Sequence, residues 1–427
     1  MRSHSVLASA LALCAVDSIV ATPIAGKSLP SKPTSKHLRY EHVKRDGPQF
    51  ADGQPIDGKG KGAPLLGGTN KALDLQNQDN LGAQSTDNGN VANLKWSFSG
   101  SKTRLLNGGW VREQLITDLP ASGDIAAAQQ HLTKGSIREL HWHRVAEWGY
   151  VYSGRVAVGA VDEHGRNQYS ILNVGDIWYF PKGEAHVIQG LDDQNEYLLV
   201  FDEGNFEAPG TTFNVDDWLA HTPKRIIAKS LGIDESLLGT LPATNPYILN
   251  ATVAENDIAH PFGELSGNAS YVYYASKDAG ITAPGGGGNI KIVDSNNFPA
   301  AKTIASTITT LKPGALRELH WHPNAEEWLY FLTGTARATA FVGNTNARTF
   351  DFSAGDTAVF PDNSGHYIEN TSNQTLQFIE IYKSDRVVDI SLTQWLALTP
   401  SSIVASVLKV PESAVKTLKK EKQLIIA

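Results

Sequence analysis

The chain has almost no cysteine. The single one, Cys14, falls in the N-terminal segment. Arg2 there gives a positive start, Val6 to Val16 an apolar run and Ala21 to Ala25 a small-residue stretch, the pattern of a secretory signal peptide over residues 1–22. A mature chain without it has no disulfide and no thiolate metal ligand. The sequence also lacks any run apolar enough to span a bilayer. It lacks a strong charge excess as well. Its net charge of −7 argues against nucleic acid as a main partner and against a basic membrane contact.

Residues 23–65 are rich in Lys, Gly, Pro and Ser without hydrophobic periodicity and read as a leader or propeptide, with Lys44 and Arg45 as a dibasic processing pair. Asn250, Asn268, Asn370 and Asn373 open glycosylation sequons, which suit a secreted, extracellular or wall-associated protein.

What the chain does have is a histidine and glutamate pattern, twice. Arg138, His141, His143, Glu147, Trp148, Gly175, Pro181 and His186 form the first copy. Arg317, His320, His322, Glu327, Trp328, Gly355, Pro361 and His366 form the second. Arg and the first two His repeat at an offset of 179, and the rest at 180, so one residue was added between His322 and Glu327. Both copies are embedded in short β-rich runs with turn glycines. Glu147 to Val156 and Glu327 to Ala336 each read as a hairpin around Gly154 or Gly334. Each half closes with helical stretches around Trp218 and Pro223, or Trp395 and Pro400, with proline near a helix start. The expectation is an all-β protein with two tandem jelly-roll β-barrel domains, 66–240 and 241–427, and short helices after each barrel.

Residues i and i+2 of a strand share a face, so His141 and His143 point into the barrel and Trp142 points out. Three imidazoles and a carboxylate exclude a thiolate zinc site. They suit Mn, Fe or Ni, with positions open for substrate, water or dioxygen. Arg138 and Arg317 lie three residues before their histidines, so each needs a bulge to reach the metal; there it would fork onto a carboxylate. Otherwise each is a surface arginine.

These motifs, with Phe180 to Gly183 and Trp218 to Pro223, resemble the bicupin oxalate decarboxylases from about Thr86 to the C-terminus. The resemblance implies two cupin domains and a manganese enzyme converting oxalate to formate and carbon dioxide. Dioxygen would be a cofactor that is not consumed. It implies two ions per chain, on His141, His143, Glu147 and His186, and on His320, His322, Glu327 and His366. It gives Arg138 and Arg317 the substrate carboxylate and implies a homo-oligomer, trimer or hexamer. It also implies a lid glutamate at the first site, for which Glu207 is the carboxylate of the segment 206–213. That lid is one residue longer than the family's, and its acid is shifted. If Glu207 does not reach the reacting carbon, an oxalate oxidase giving carbon dioxide and hydrogen peroxide is the alternative. Glu380 matches a family proton-transfer position at the second site, and counting by 180 puts Val200 in its place in the first. Trp142 and Trp321 are expected to pack outside the barrels. A non-catalytic storage or binding bicupin is the reading from another class, and a bicupin dioxygenase acting on aromatic substrates is a weaker enzyme alternative. Both ligand sets are complete, which speaks against storage.

Overall fold

The computed structural model describes residues 86–242, 244–255 and 258–427. The signal peptide, the leader, the dibasic pair and residues 66–85 lie outside the described residues. Among the described residues no helix is long and apolar enough to cross a membrane.

Among the described residues, four sheets make two barrels. In the first barrel, a seven-stranded sheet runs Val272–Tyr273, Ile177–Phe180, Glu147–Ser153, Asn195–Phe201, Ala126–Leu132, Gly109–Gln114, Arg104–Leu106. It faces a sheet ordered Thr212–Asn214, Ile137–His143, Ala185–Gly190, Val156–Val161, Asn167–Leu172, with Ile248–Leu249 also on Ile137–His143. The second barrel repeats this. Lys95–Ser97, Asp356–Phe360, Glu327–Thr333, Leu376–Tyr382, Ala305–Leu311, Gly288–Val293 and Ile281–Thr282 face Ala347–Ser353, Thr335–Phe341, His366–Asn370, Leu316–Trp321 and Ile390–Ser391.

The two expected hairpins are not hairpins. Glu147–Ser153 and Val156–Val161 sit in opposite sheets, as do Glu327–Thr333 and Thr335–Phe341. The glycine between them carries the chain across the barrel edge. Gly154 has φ +69, and a Cβ there would lie 2.2 Å from the Gln194 carbonyl, so no other residue fits.

The strands also ignore a cut at residue 240. Lys95–Ser97 pairs with Asp356–Phe360 of the second barrel, and Val272–Tyr273 pairs with Ile177–Phe180 of the first. Each barrel therefore borrows an edge strand from the other half of the chain. Lys95 fixes the first exchange through a buried 3.0 Å ion pair with Asp356.

Alternation assigns the core. Tyr197, Leu199 and Phe201 turn into the first barrel beside Trp178 and Phe180. Leu198 and Val200 turn out, onto a layer shared with Trp148, Tyr150, Trp328, Tyr330, Ile379 and Ile381. The two seven-stranded sheets thus pack on each other and are buried on both faces, which is why Tyr197 to Phe201 reads as an unbroken apolar run. Each large side chain in this layer contributes about 1.5–3 kcal/mol by burial. The helices stay outside. Val215–Ala220 and Lys224–Leu231 follow the first barrel, and Leu392–Ala397 and Ser401–Leu408 follow the second, with Pro223 and Pro400 at the caps.

Candidate metal centres

His141 and His143 share the inner face of Ile137–His143, and His186 faces His141 from the neighbouring strand. Glu147 comes from the opposite sheet, where it pairs with Phe180 and Phe201. The set is buried, and its ligand atoms lie within 4.8 Å of one another. His320, His322, Glu327 and His366 repeat the arrangement with the same spread.

Each ring is fixed by its far nitrogen. Nδ1 of His141 meets the Glu139 carbonyl at 2.5 Å, that of His143 meets Thr212 Oγ1 at 3.0 Å and that of His186 meets the Glu184 carbonyl at 2.8 Å. In the second site the partners are the carbonyls of Glu318, Val388 and Ser364, at 2.6, 2.8 and 2.8 Å. A carbonyl only accepts, so in the five rings that meet one Nδ1 carries the proton and Nε2 turns a lone pair inward; the Thr212 hydroxyl that meets His143 can take either role. Nε2 of His320 and His322 then face each other at 3.1 Å with no proton between them. His366 Nε2 lies 2.6 Å and His322 Nε2 3.2 Å from Glu327 Oε2, and His186 Nε2 lies 3.4 Å from Glu147 Oε2, all of them buried. Such convergence of lone pairs is costly without a cation at its centre, and the donor set fits one divalent ion per site. Burial lowers the pKa of His141 and His320 far below the ordinary value, with Arg138 or Arg317 adding to it, so both stay neutral and able to ligate.

The two carboxylates are oriented differently. Trp178 Nε1–H donates to Glu147 Oε1 at 2.9 Å. The indole fits because its pairing partner is Gly149, where a Cβ would come within 2.0 Å of it. In the second barrel the corresponding pair is Leu329 and Ala358, so Glu327 has no such donor.

Arg138 and Arg317 both reach the inner face through the expected bulge. Between His141 and Arg138 the strand advances three residues against two on its partner, and Arg317 to His320 does the same. Arg138 is 1% exposed while Leu140 is 55%. The arginines differ in company. Arg138 Nη1 donates to Asn214 Oδ1 at 2.8 Å and, more weakly, to the Tyr247 carbonyl at 3.4 Å, while Nη2 is buried without a partner. Its guanidinium lies 3.7 Å over the Tyr247 ring. Tyr247 holds φ +64, a backbone cost of about 1–3 kcal/mol that is typical of functional sites. Arg317 is spoken for: Nη2 lies 2.6 Å from Asp389 Oδ2, and Nε lies 3.5 Å from Glu380 Oε1.

Glu380 is fully buried and accepts from Thr307 and Thr309. Burial pushes its carboxyl up to about 7 against the pull of Arg317. Its counterpart is not Val200. Glu380 pairs with Thr307 and Leu329, and the matching partners Ala128 and Gly149 belong to Leu199. The chain is one residue longer between His366 and Leu376 than between His186 and Asn195, so the offset becomes 181 and Val200 faces the inter-barrel layer instead.

Glu207 lies exposed on the lid, lining a cavity of about 480 Å³ with Arg104, Phe206, Thr212, Asn214, Asn245 and Tyr247. The lid is tied at both ends. Phe206 is buried against Phe201 and the His143 ring, and Arg144 N–H donates to the Thr211 carbonyl at 2.8 Å. Trp142 stacks on Phe213 and meets Trp218 edge-on, while Trp321 meets Trp395 edge-on, all outside the barrels. Asn370 is excluded as a glycan acceptor, since it is 2% exposed and its amide donates to two carbonyls. Sequence patterns missed Trp178, Asn214, Tyr247 and Glu113, which have no motif and meet the site only through strand pairing.

Two jelly-roll barrels, each with an internal three-histidine, one-glutamate set, define a two-domain cupin, and the cupin family pattern matches residues 100–237 and 275–416. The chain is 56% identical over 377 residues to a probable oxalate decarboxylase of Arthroderma benhamiae, covering 88% of this chain and 93% of that one. It is 42% identical over 377 residues to the oxalate decarboxylase of Bacillus subtilis, covering 87% and 96%. The solved structure of the Bacillus subtilis enzyme superposes with a TM-score of 0.82, covering 87% of this chain and 97% of that one. That enzyme has also been described with Mn(II) centres. The chain belongs to the bicupin oxalate decarboxylase family.

Proposed function

We propose that this protein is a secreted, manganese-dependent oxalate decarboxylase that works at its first site and requires dioxygen without consuming it. The observation that carries the assignment is Arg138, a buried guanidinium with an unpartnered Nη2 beside a complete ligand set and under an open cavity. A small dicarboxylate supplies what is missing there: one end accepts from the Arg138 fork and the other reaches the ligand set.

His141, His143, Glu147 and His186 would hold manganese, which when bound supplies a Lewis acid and a one-electron redox couple. The chain's own groups do the rest. Arg138 orients one carboxylate, Asn214 and Tyr247 hold Arg138, and Phe201 and Phe206 keep water from the His143 side. Hydrogen oxalate divides into carbon dioxide and formate without net electrons: the C–C bond breaks, a C–H bond forms, and its proton comes from Glu207. Arg317 is already neutralised by carboxylates, so His320, His322, Glu327 and His366 would hold a second manganese that does not turn over.

The displaced lid acid and Pro209 favour one second reading. If Glu207 fails to deliver its proton, the same site oxidises hydrogen oxalate with dioxygen and a proton to two carbon dioxide and one hydrogen peroxide. Product stoichiometry tests both. The Mn-loaded mature chain is given oxalate in air at mildly acidic pH. Equal formate and carbon dioxide support the decarboxylase, peroxide without formate supports the oxidase, and no turnover defeats both. Omitting dioxygen must stop turnover. The N-terminal pattern supports secretion, tested by N-terminal sequencing of protein from the medium. Exposed Trp218, Trp395, Leu398 and Val407 on the closing helices support a homo-oligomer, tested by sedimentation.

A further inference from the structure

The first barrel has a second acid at its mouth. Glu113 lies on Gly109–Gln114, two residues after Val111, so it shares the inward face of a side chain that belongs to the barrel core. Its Oε1 is buried, and no amide, guanidinium or hydroxyl group donates to it. The group facing it is the Glu207 carboxyl, close enough to share a hydrogen bond. Two carboxylates cannot bond to each other unless one carries a proton, so this contact holds one. Arg104 at the cavity mouth and Arg138 below flank the pair. Both stack on Tyr247, at 4.2 and 3.7 Å. The charged and titratable groups facing Glu113 are therefore Glu207, Arg104, Arg138 and Tyr247.

The second barrel has no such arrangement. Strand pairing places Ile292 where Glu113 stands and Ile281 where Arg104 stands. In exchange it has Glu380 where the first barrel has Leu199. The acid pair is thus particular to the site whose arginine is free.

We propose that Glu113 is the positioning partner of the lid acid: it holds the Glu207 side chain over the cavity and keeps the proton that Glu207 delivers. The inference rests on the decarboxylase reading and deepens it. The single proton of the pair passes from Glu113 to Glu207 and on to the carbon left when the C–C bond breaks, leaving both carboxylates ionised. The proton carried in by the next hydrogen oxalate then refills the pair, so nothing accumulates. Burial, then the charge and hydrogen bond of Glu207, push the Glu113 carboxyl up to about 8, with Arg104 and Arg138 pulling back in part. A proton therefore stays in the pair across the mildly acidic range. This arrangement answers the shifted lid: an acid one residue out of place is steadied from below by a second carboxyl.

The test has two parts. Infrared titration of the Mn-loaded, oxalate-free protein reads the shared proton without turnover. The wild type shows a carboxyl band titrating near the upper value, E113Q loses it, and in E207Q it moves down by a unit or more. An unchanged band in E207Q overturns the proposal, and that variant leaves Glu113 in place should E113Q fold poorly. In the activity assay E113Q keeps its manganese content and its KM within a few-fold. Its formate-forming kcat falls at least tenfold, its peroxide share rises, and E113D restores part of the loss. Adding E113Q to E207Q costs nothing further if Glu113 acts through Glu207. Independent, multiplying losses overturn the proposal, as does an E113Q enzyme with wild-type kcat, pH profile and product ratio. Wild-type protein that shows the shared band but no oxalate turnover defeats the decarboxylase reading instead.

Discussion

Alanine at Arg138 and alanine at Arg317 remove the same group from equivalent places, yet the structure gives the two losses different signatures. Arg138 meets only neutral oxygens, those of Asn214 and Tyr247, and one of its nitrogens is unused. Losing those two hydrogen bonds costs about 1 kcal/mol each. Arg138→Ala therefore has a small effect on stability. Its effect on substrate is large, because the charged fork that meets a carboxylate is gone. Truncating one member of a buried, hydrogen-bonded charge pair costs about 2–5 kcal/mol, which is roughly 30-fold to a few thousandfold in kcat/KM. Arg317→Ala instead takes the guanidinium from Asp389, which burial pushes up and Arg317 and Lys422 hold down to about 2, leaving it Lys422 alone, and leaves Glu380 only the Thr307 and Thr309 hydroxyls. Leaving a buried charge wholly uncompensated costs about 3–5 kcal/mol, and with Lys422 still in place the loss of stability stays at or below the lower end of that range. Urea denaturation and steady-state oxalate kinetics on both variants, with manganese content measured in parallel, separate the effects. Arg317→Ala with wild-type stability and no turnover, or Arg138→Ala with wild-type kcat/KM, would refute the reasoning.

Two further outcomes follow from the same geometry. Trp178→Phe removes the donor that orients Glu147 but touches nothing at the second site, where Ala358 stands in its place. The first ion should bind about 10–100-fold more weakly, so manganese content falls from two towards one per chain under competing chelator; loss of both ions together would contradict it. Glu380→Gln tests the raised carboxyl. A folded pKa near 7 against an ordinary value of 4.5 means that the folded state keeps the proton longer. The stability this confers is complete below about pH 4.5 and disappears as pH rises through 7. The stability of the glutamine variant relative to wild type should therefore rise between pH 5 and pH 8 in paired denaturation curves, and a flat difference would show that Glu380 does not titrate there.

The metal centres were legible in the sequence because strand alternation makes His141 and His143 neighbours on one face, and because the second copy repeats the whole set. The bulge was legible too, since Arg138 sits at an odd spacing from His141 and can reach the site only if the strand gains a residue. Counting by a fixed offset failed where the chain changes length out of sight of the motif, and so Glu380 was set against Val200 rather than Leu199. Gly154 and Gly334 look like hairpin turns in sequence because a tight turn has the same spelling whether the chain returns to its own sheet or passes to the opposite one. Asn370 fits a sequon by spelling, but its amide is used up inside the barrel. Glu113 and Trp178 carry no local signal. They matter through partners 94 and 31 residues away, Glu207 and Glu147.

The reciprocal edge strands have a consequence in time. Lys95–Ser97 has no partner until Asp356–Phe360 exists, and 263 residues separate Ser97 from Phe360 (360 − 97). At about 5–20 residues per second, the ribosome leaves that segment waiting for roughly 13–50 s. Within the interval Val272–Tyr273 emerges and can complete the edge of the first barrel, while Lys95–Ser97 still waits for the second. A nascent chain of this protein must therefore carry a long-lived unpaired segment, and the second barrel takes it up only after the first has received the strand it borrows.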